Sequence, residues 1–116
     1  MARPCRWRRI CTAPEFDRFV PEGIPSPRSI TLTVDEYEAV RLIDLMKCTH
    51  EQCAAQMDIS RTTVTEIYES ARTKIADSLI GGKTLVIAGG RYRLCDGTAR
   101  CGGVPCRKSA AARTPT

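Results

Sequence analysis

No stretch of the chain is apolar for long enough to span a membrane, and the opening MARPCRWRRI has no apolar run behind its charges. The first absence excludes a transmembrane helix; the second argues against secretion and for a cytoplasmic location. Histidine is nearly missing, with His50 the only one. A lone exposed histidine in the first turn of a helix is more often plain surface than a ligand or a base. No Ser/His/Asp set, no pair of carboxylates with a pocket, no phosphate-binding glycine loop and no dinucleotide fingerprint occurs, so no enzyme is expected. An even cysteine count is missing too. There are seven, so at least one stands outside any intramolecular disulfide, and in a reducing compartment thiols or metal ligation are favoured over bridges.

What is present suits one compact domain with tails: 116 residues, 42% hydrophobic and 27% charged. The net charge of +5 is compatible with a nucleic-acid partner without establishing one. Its distribution says more. Residues 1–31 hold six Lys/Arg against three acids, 32–58 hold two against six, 61–93 hold six against three, and 94–116 hold four against one. An acidic support and a basic presenting surface is the pattern expected of a DNA binder.

The chain is organised around HEQCAAQMDISRTTVTEIYE, His50 to Glu69. Thr49 followed by Gln52 forms a capping box, Ser60 caps the following helix, and Ala54 is small enough for the two helices to cross closely. Cys53, Met57, Ile59, Val64 and Ile67 fall where the pair would pack. Asp58 stands in the turn, where a left-handed conformation is needed and Asp tolerates it. This is a helix-turn-helix pattern, which presents its second helix to the major groove.

Upstream, residues 1–29 carry five of the seven prolines and Arg3, Arg6, Arg8 and Arg9, which reads as an irregular basic arm that either touches DNA or is a solvated tail. Ile30 and Leu32 suit a very short strand. Thr33 and Glu36 form a second capping box, and Val34, Tyr37, Val40, Ile43 and Met46, widened by Leu42 and Leu45, give a supporting helix whose acidic outer face is expected to be solvated. Downstream, Val64, Ile67, Ala71, Ile75 and Leu79 carry the third helix to about Leu79 as one apolar stripe, ended by Gly81-Gly82. TLVIA and RYRLC flank Gly89-Gly90, the signal of a hairpin, with Arg91 and Arg93 alternating outward; the hairpin acts either as a basic wing or as a sheet edge guarded by charge. Residues 96–116 read as a flexible cysteine-containing tail. The expected fold is therefore mainly α: a three-helix helix-turn-helix core over residues 30–95 with a C-terminal β-hairpin and irregular N- and C-terminal segments.

The stretch SRTTVTEIYESARTKIADSL resembles the last helix-turn-helix of bacterial sigma factors. RPCRWRRIC, PEFDRF, PEGIP, LTVDEYEAVRLIDL, ISRTTV, IYESARTKIADSL and GKTLVIAGGRYRL together are similar to a family of small bacterial and archaeal proteins predicted to bind DNA, over roughly residues 2–95. The resemblance implies a helix-turn-helix fold and DNA binding, and no operator, ligand or enzymatic activity.

For base reading the candidates are Arg61, Thr62, Thr65 and Glu66, since Arg pairs with guanine, Glu accepts from cytosine and Thr offers a hydroxyl or a methyl. Ser60, Arg72, Lys74, Arg91 and Thr49 are phosphate candidates, against the plainer reading that Ser60 only caps and Arg72 pairs along the helix surface. The expected partner is double-stranded DNA, bound as a homodimer because one recognition helix covers only a few base pairs. Cys48 and Cys53 read as ordinary small residues. Cys5, Cys11, Cys95, Cys101 and Cys106 flank the core with C-x5-C and C-x5-C-x4-C spacing, looser than strong zinc knuckles; if the two ends meet, four thiolates could hold zinc or an iron–sulfur cluster. The alternative to a regulator is thus a thiol-ligated metal or redox module that binds a protein such as RNA polymerase.

Overall fold

The helices start where the sequence caps them. Thr33 Oγ1 accepts from the Glu36 amide while the Glu36 carboxylate accepts from the Thr33 amide, and Thr49 and Gln52 repeat the exchange one helix later. A computed structural model describes residues 8–95, in the order β1 (Arg8–Ile10), β2 (Arg18–Phe19), β3 (Ser29–Leu32), α1 (Val34–Val40), a π-helical segment (Arg41–Leu45), α2 (His50–Met57), α3 (Arg61–Gly81), β4 (Thr84–Ile87) and β5 (Tyr92–Leu94). Trp7, Cys5, Cys101, Cys106 and the tail lie outside the described residues. No helix among the described residues is long and apolar enough to cross a membrane.

The three helices stand as expected, but the fold is mixed α/β rather than mainly α. TLVIA and RYRL do not form a hairpin. β4 is the central strand of a β2-β4-β3 sheet, antiparallel to β2 and parallel to β3, while β5 runs parallel to β1 in a separate ribbon. Gly89 and Gly90 both take positive φ, as a tight turn would require. They serve instead to carry the chain across the start of α1, where the Val34 amide donates to the Gly89 carbonyl at 3.0 Å. A Cβ on Gly90 would stand 2.5 Å from Asp35 Oδ1, so only glycine fits that crossing. The arm expected to be irregular contributes β1 and β2, and its Phe16, Phe19 and Val20 side chains are exposed.

Two apolar clusters result. Ala39, Leu42, Cys48, Cys53, Ala54, Met57, Val64 and Ile67 join the helices; Ile10, Leu32, Val34, Ala71 and Ile87 lie between helices and strands. The third helix runs to Gly81 and is closed by Gly82 in the left-handed conformation. Its apolar stripe outlasts its cover: Ala71 is buried, but Leu79 is 76% exposed. At the end of α1 the chain widens into a π-turn, with the Met46 amide donating to the Arg41 carbonyl at 2.9 Å. The extra residue in the turn separates Leu42 and Leu45, which an α-helix would stack on one face. Leu42 is fully buried and Leu45 is 70% exposed.

The acidic face of α1 is not solvated. Asp35, Glu36 and Glu38 are all buried, Glu38 completely. The Glu38 carboxylate accepts from Arg41 Nε at 2.8 Å and Nη2 at 2.9 Å, and from the Cys11 amide at 3.0 Å. Burial works against the Arg41 charge, but the bonds from Glu38 outweigh it and raise its pKa. Burial likewise opposes ionisation of Glu36, yet Lys74, Ser70 and the Thr33 amide hold its carboxyl below the usual range. Glu38→Ala leaves a buried guanidinium without its partner and is expected to cost about 3–5 kcal/mol in urea unfolding, whereas Glu38→Met with Arg41→Met removes both charges and is expected to cost far less.

Candidate nucleic-acid interface

α2 and α3 meet through Cys53, Ala54, Met57, Val64 and Ile67, the positions the sequence assigns to that contact. Between them Asp58 adopts φ 60° and ψ 47°, and the Ile59 amide donates to the Ala54 carbonyl at 3.0 Å. The left-handed residue is thus the C-cap of α2. Ser60 then caps α3, its hydroxyl accepting from the Thr63 amide at 3.1 Å.

The first turns of α3 present Ser60, Arg61, Thr62 and Glu66 as exposed side chains, and Thr49 is exposed at the start of α2. Thr65 is half-buried. Its hydroxyl donates to the Arg61 carbonyl at 3.2 Å and lies 3.2 Å from His50 Nδ1. His50 also stands edge-on to the Tyr68 ring, so the histidine ties the start of α2 to α3. Two phosphate candidates are otherwise engaged. Arg72 donates to Tyr68 Oη at 2.6 Å and faces Asp44 at 3.4 Å, while Lys74 pairs with Glu36 at 2.8 Å on the other flank of the helix. Hydrogen bonding to Asp44 also pushes the Tyr68 phenol up, so it stays a donor. Arg91 is exposed at the entry to β5, not on a hairpin wing.

Sequence reasoning missed what orients the unit. Arg9 and Arg93 are register partners across the β1–β5 ribbon, and both reach the end of α2. Arg9 donates through Nε to the Gln56 carbonyl at 2.8 Å and through Nη2 to the Ala55 carbonyl at 3.0 Å; Arg93 Nη2 donates to Asp58 Oδ2 at 2.9 Å. Two cations therefore satisfy the negative end of α2 and its capping aspartate. The alternation of Arg91 and Arg93 was visible in the sequence, but the pairing of Arg93 with Arg9, more than eighty positions earlier, was not.

Among the described residues no group of three or more His, Cys, Asp or Glu could hold a metal ion. The four described cysteines, Cys11, Cys48, Cys53 and Cys95, are buried. Burial pushes the Cys53 thiol up to about 12, as befits a core residue.

Asp58→Gly should change stability by no more than about 0.5 kcal/mol, since relief of the left-handed backbone offsets loss of the Arg93 contact, while Asp58→Val should cost about 2 kcal/mol, both read from thermal or urea unfolding.

The profile of a family described as "Protein of unknown function DUF134" matches residues 1–95. A UPF0251 protein of Desulfitobacterium hafniense is 49% identical over 110 residues, covering 93% of this chain and 88% of its own length. UPF0251 proteins of Halothermothrix orenii and Methanococcus vannielii are 43% and 42% identical, covering 87% and 90% of this chain and 76% and 83% of their own. No solved structure matches the chain. The chain belongs to the DUF134/UPF0251 family, which has bacterial and archaeal members.

Proposed function

We propose that the chain is a sequence-specific DNA-binding transcriptional regulator that reads the major groove with the N-terminal turns of α3. One observation carries this reading. Arg61, Thr62 and Glu66 project from the capped end of a helix whose other face is locked into the core by Val64, Ile67 and Ala71. Preorganised side chains at that position lose little entropy on meeting base edges. Arg61 supplies a bidentate donor for guanine, Thr62 a hydroxyl or methyl contact, and Glu66 an acceptor for cytosine. Ser60 and Thr49, at two neighbouring helix starts, suit backbone phosphates. Thr65 acts mainly by fixing His50 against the helix. Binding as a homodimer doubles the bases read and sets the half-site spacing.

The test is a titration of purified protein against fragments selected from the source genome. Affinity should fall steeply as salt rises. Arg61→Ala should weaken specific binding by about 1–3 kcal/mol, with unchanged circular dichroism and unfolding midpoint. Binding that ignores both salt and Arg61 would sink the proposal.

A further inference from the structure

We infer that the far end of α3 and the arm beside it form the face on which a second copy of this chain docks. The inference names the surface for the homodimer proposed above, but its argument and its test do not involve DNA.

Among the described residues eight large apolar side chains are exposed. Leu45 and Leu94 are single residues on other elements, as is ordinary for a protein surface. The other six, Phe16, Phe19, Val20, Ile24, Leu79 and Ile80, fall in two segments that the fold brings to one end. The Ile87 amide donates to the Asp17 carbonyl at 2.9 Å, and Phe19 is the register partner of Leu85. The Thr84 amide donates to the Arg28 carbonyl at 2.7 Å, so the arm runs back along β4 to the start of that strand. There Ile24 Cδ1 lies so close to Gly82, the cap of α3, that a Cβ on the glycine would stand 2.9 Å from it. Leu79 and Ile80 lie in the turn just before that cap, 76% and 88% exposed.

Area selects the occupant. Taking about 200 Å² for a fully exposed large apolar residue, the six present on the order of 700–800 Å². The largest apolar patch on a monomer is about 300–600 Å², whereas each partner of a stable dimer buries about 800 Å². Charge narrows the choice. Over residues 15–28 the arm exposes Glu15, Asp17 and Glu22 together with Arg18 and Arg28. That mixture lacks the basic excess that nucleic acid or an anionic membrane surface would require. Both signs on one patch suit an isologous contact, in which the acids of each copy meet the bases of the other across a two-fold axis. The face also leaves the reading end clear, because α3 spans 21 residues, about 30 Å, from Arg61 to Gly81.

The full-length chain, without DNA, is followed by sedimentation velocity as its concentration is raised. A reversible monomer–dimer equilibrium, mostly dimer by roughly 100 μM, is expected. Leu79→Glu with Ile80→Glu, and separately Phe19→Glu, should each raise the dimer dissociation constant by about a hundredfold or more. Circular dichroism and the unfolding midpoint should be kept, since these side chains are exposed within one chain. Leu45→Glu, Leu94→Glu and Arg61→Ala should dimerise as the wild type does. Should a variant fail to fold, hydrogen exchange of the wild-type chain decides: concentration-dependent protection of residues 16–24 supports the face, and protection gathered elsewhere overturns it. The inference is also overturned by a wild-type chain that stays monomeric, whether or not it binds anionic vesicles, by a dimer that the Leu79/Ile80 and Phe19 variants leave intact, or by one that Leu45→Glu breaks instead. A dimer with the expected properties supports the inference even where DNA binding is indifferent to Arg61, so the two proposals fail separately.

Discussion

The fully buried Glu38 carboxylate is the constraint to which the remaining structure answers. An ionised group in that position is tolerable only if its lone pairs are filled, and three donors fill them: two from Arg41 and one from the Cys11 backbone. The Arg41 bond fixes the end of α1 at the point where the helix widens into its π-turn. The Cys11 bond fixes the end of β1 against the same helix. Because β1 holds β5, and the ribbon holds the end of α2 through Arg9 and Arg93, one buried charge links the N-terminal strand to the turn between α2 and α3.

This arrangement changes the meaning of the charge pattern. The acidic stretch over residues 32–58 and the basic stretches on either side of it are complementary within the molecule. Arg8 faces Asp35, Lys74 pairs with Glu36, Arg72 with Asp44 and Arg93 with Asp58. Several of the basic side chains thus orient the fold. Among the described residues, the first turn of α3 keeps Arg61 as an exposed cation.

Local chemistry was legible in the sequence, and long-range pairing was not. The two capping boxes, the Ser60 cap, the left-handed Asp58 and the apolar contacts of α2 with α3 all depend on residues a few positions apart, so spacing alone reveals them. β1 pairing with β5 joins residues more than eighty positions apart, and no periodicity encodes that. The Gly89-Gly90 signal was real as a turn, yet the hairpin it announces lost to a parallel partner for β4 in β3, which offers four paired residues. Glu36 and Glu38 were read as solvated because an acidic helix face usually is; the Cys11 amide that meets Glu38 lies 27 residues upstream, and the Ser70 and Lys74 side chains that meet Glu36 lie 34 and 38 residues downstream. Leu79 failed the opposite way, lying on an apolar stripe at helical spacing yet exposed.

The central claim, that the start of α3 is a surface for DNA, is tested most directly by following the backbone amides of isotopically labelled protein in solution as a selected duplex is added. Saturable shifts concentrated at Thr49 and from Ser60 to Glu66, with the β2–β4–β3 sheet little changed, are expected. Shifts that never saturate, or that gather on the sheet and the far end of α3 and leave Ser60 to Glu66 still, would contradict it.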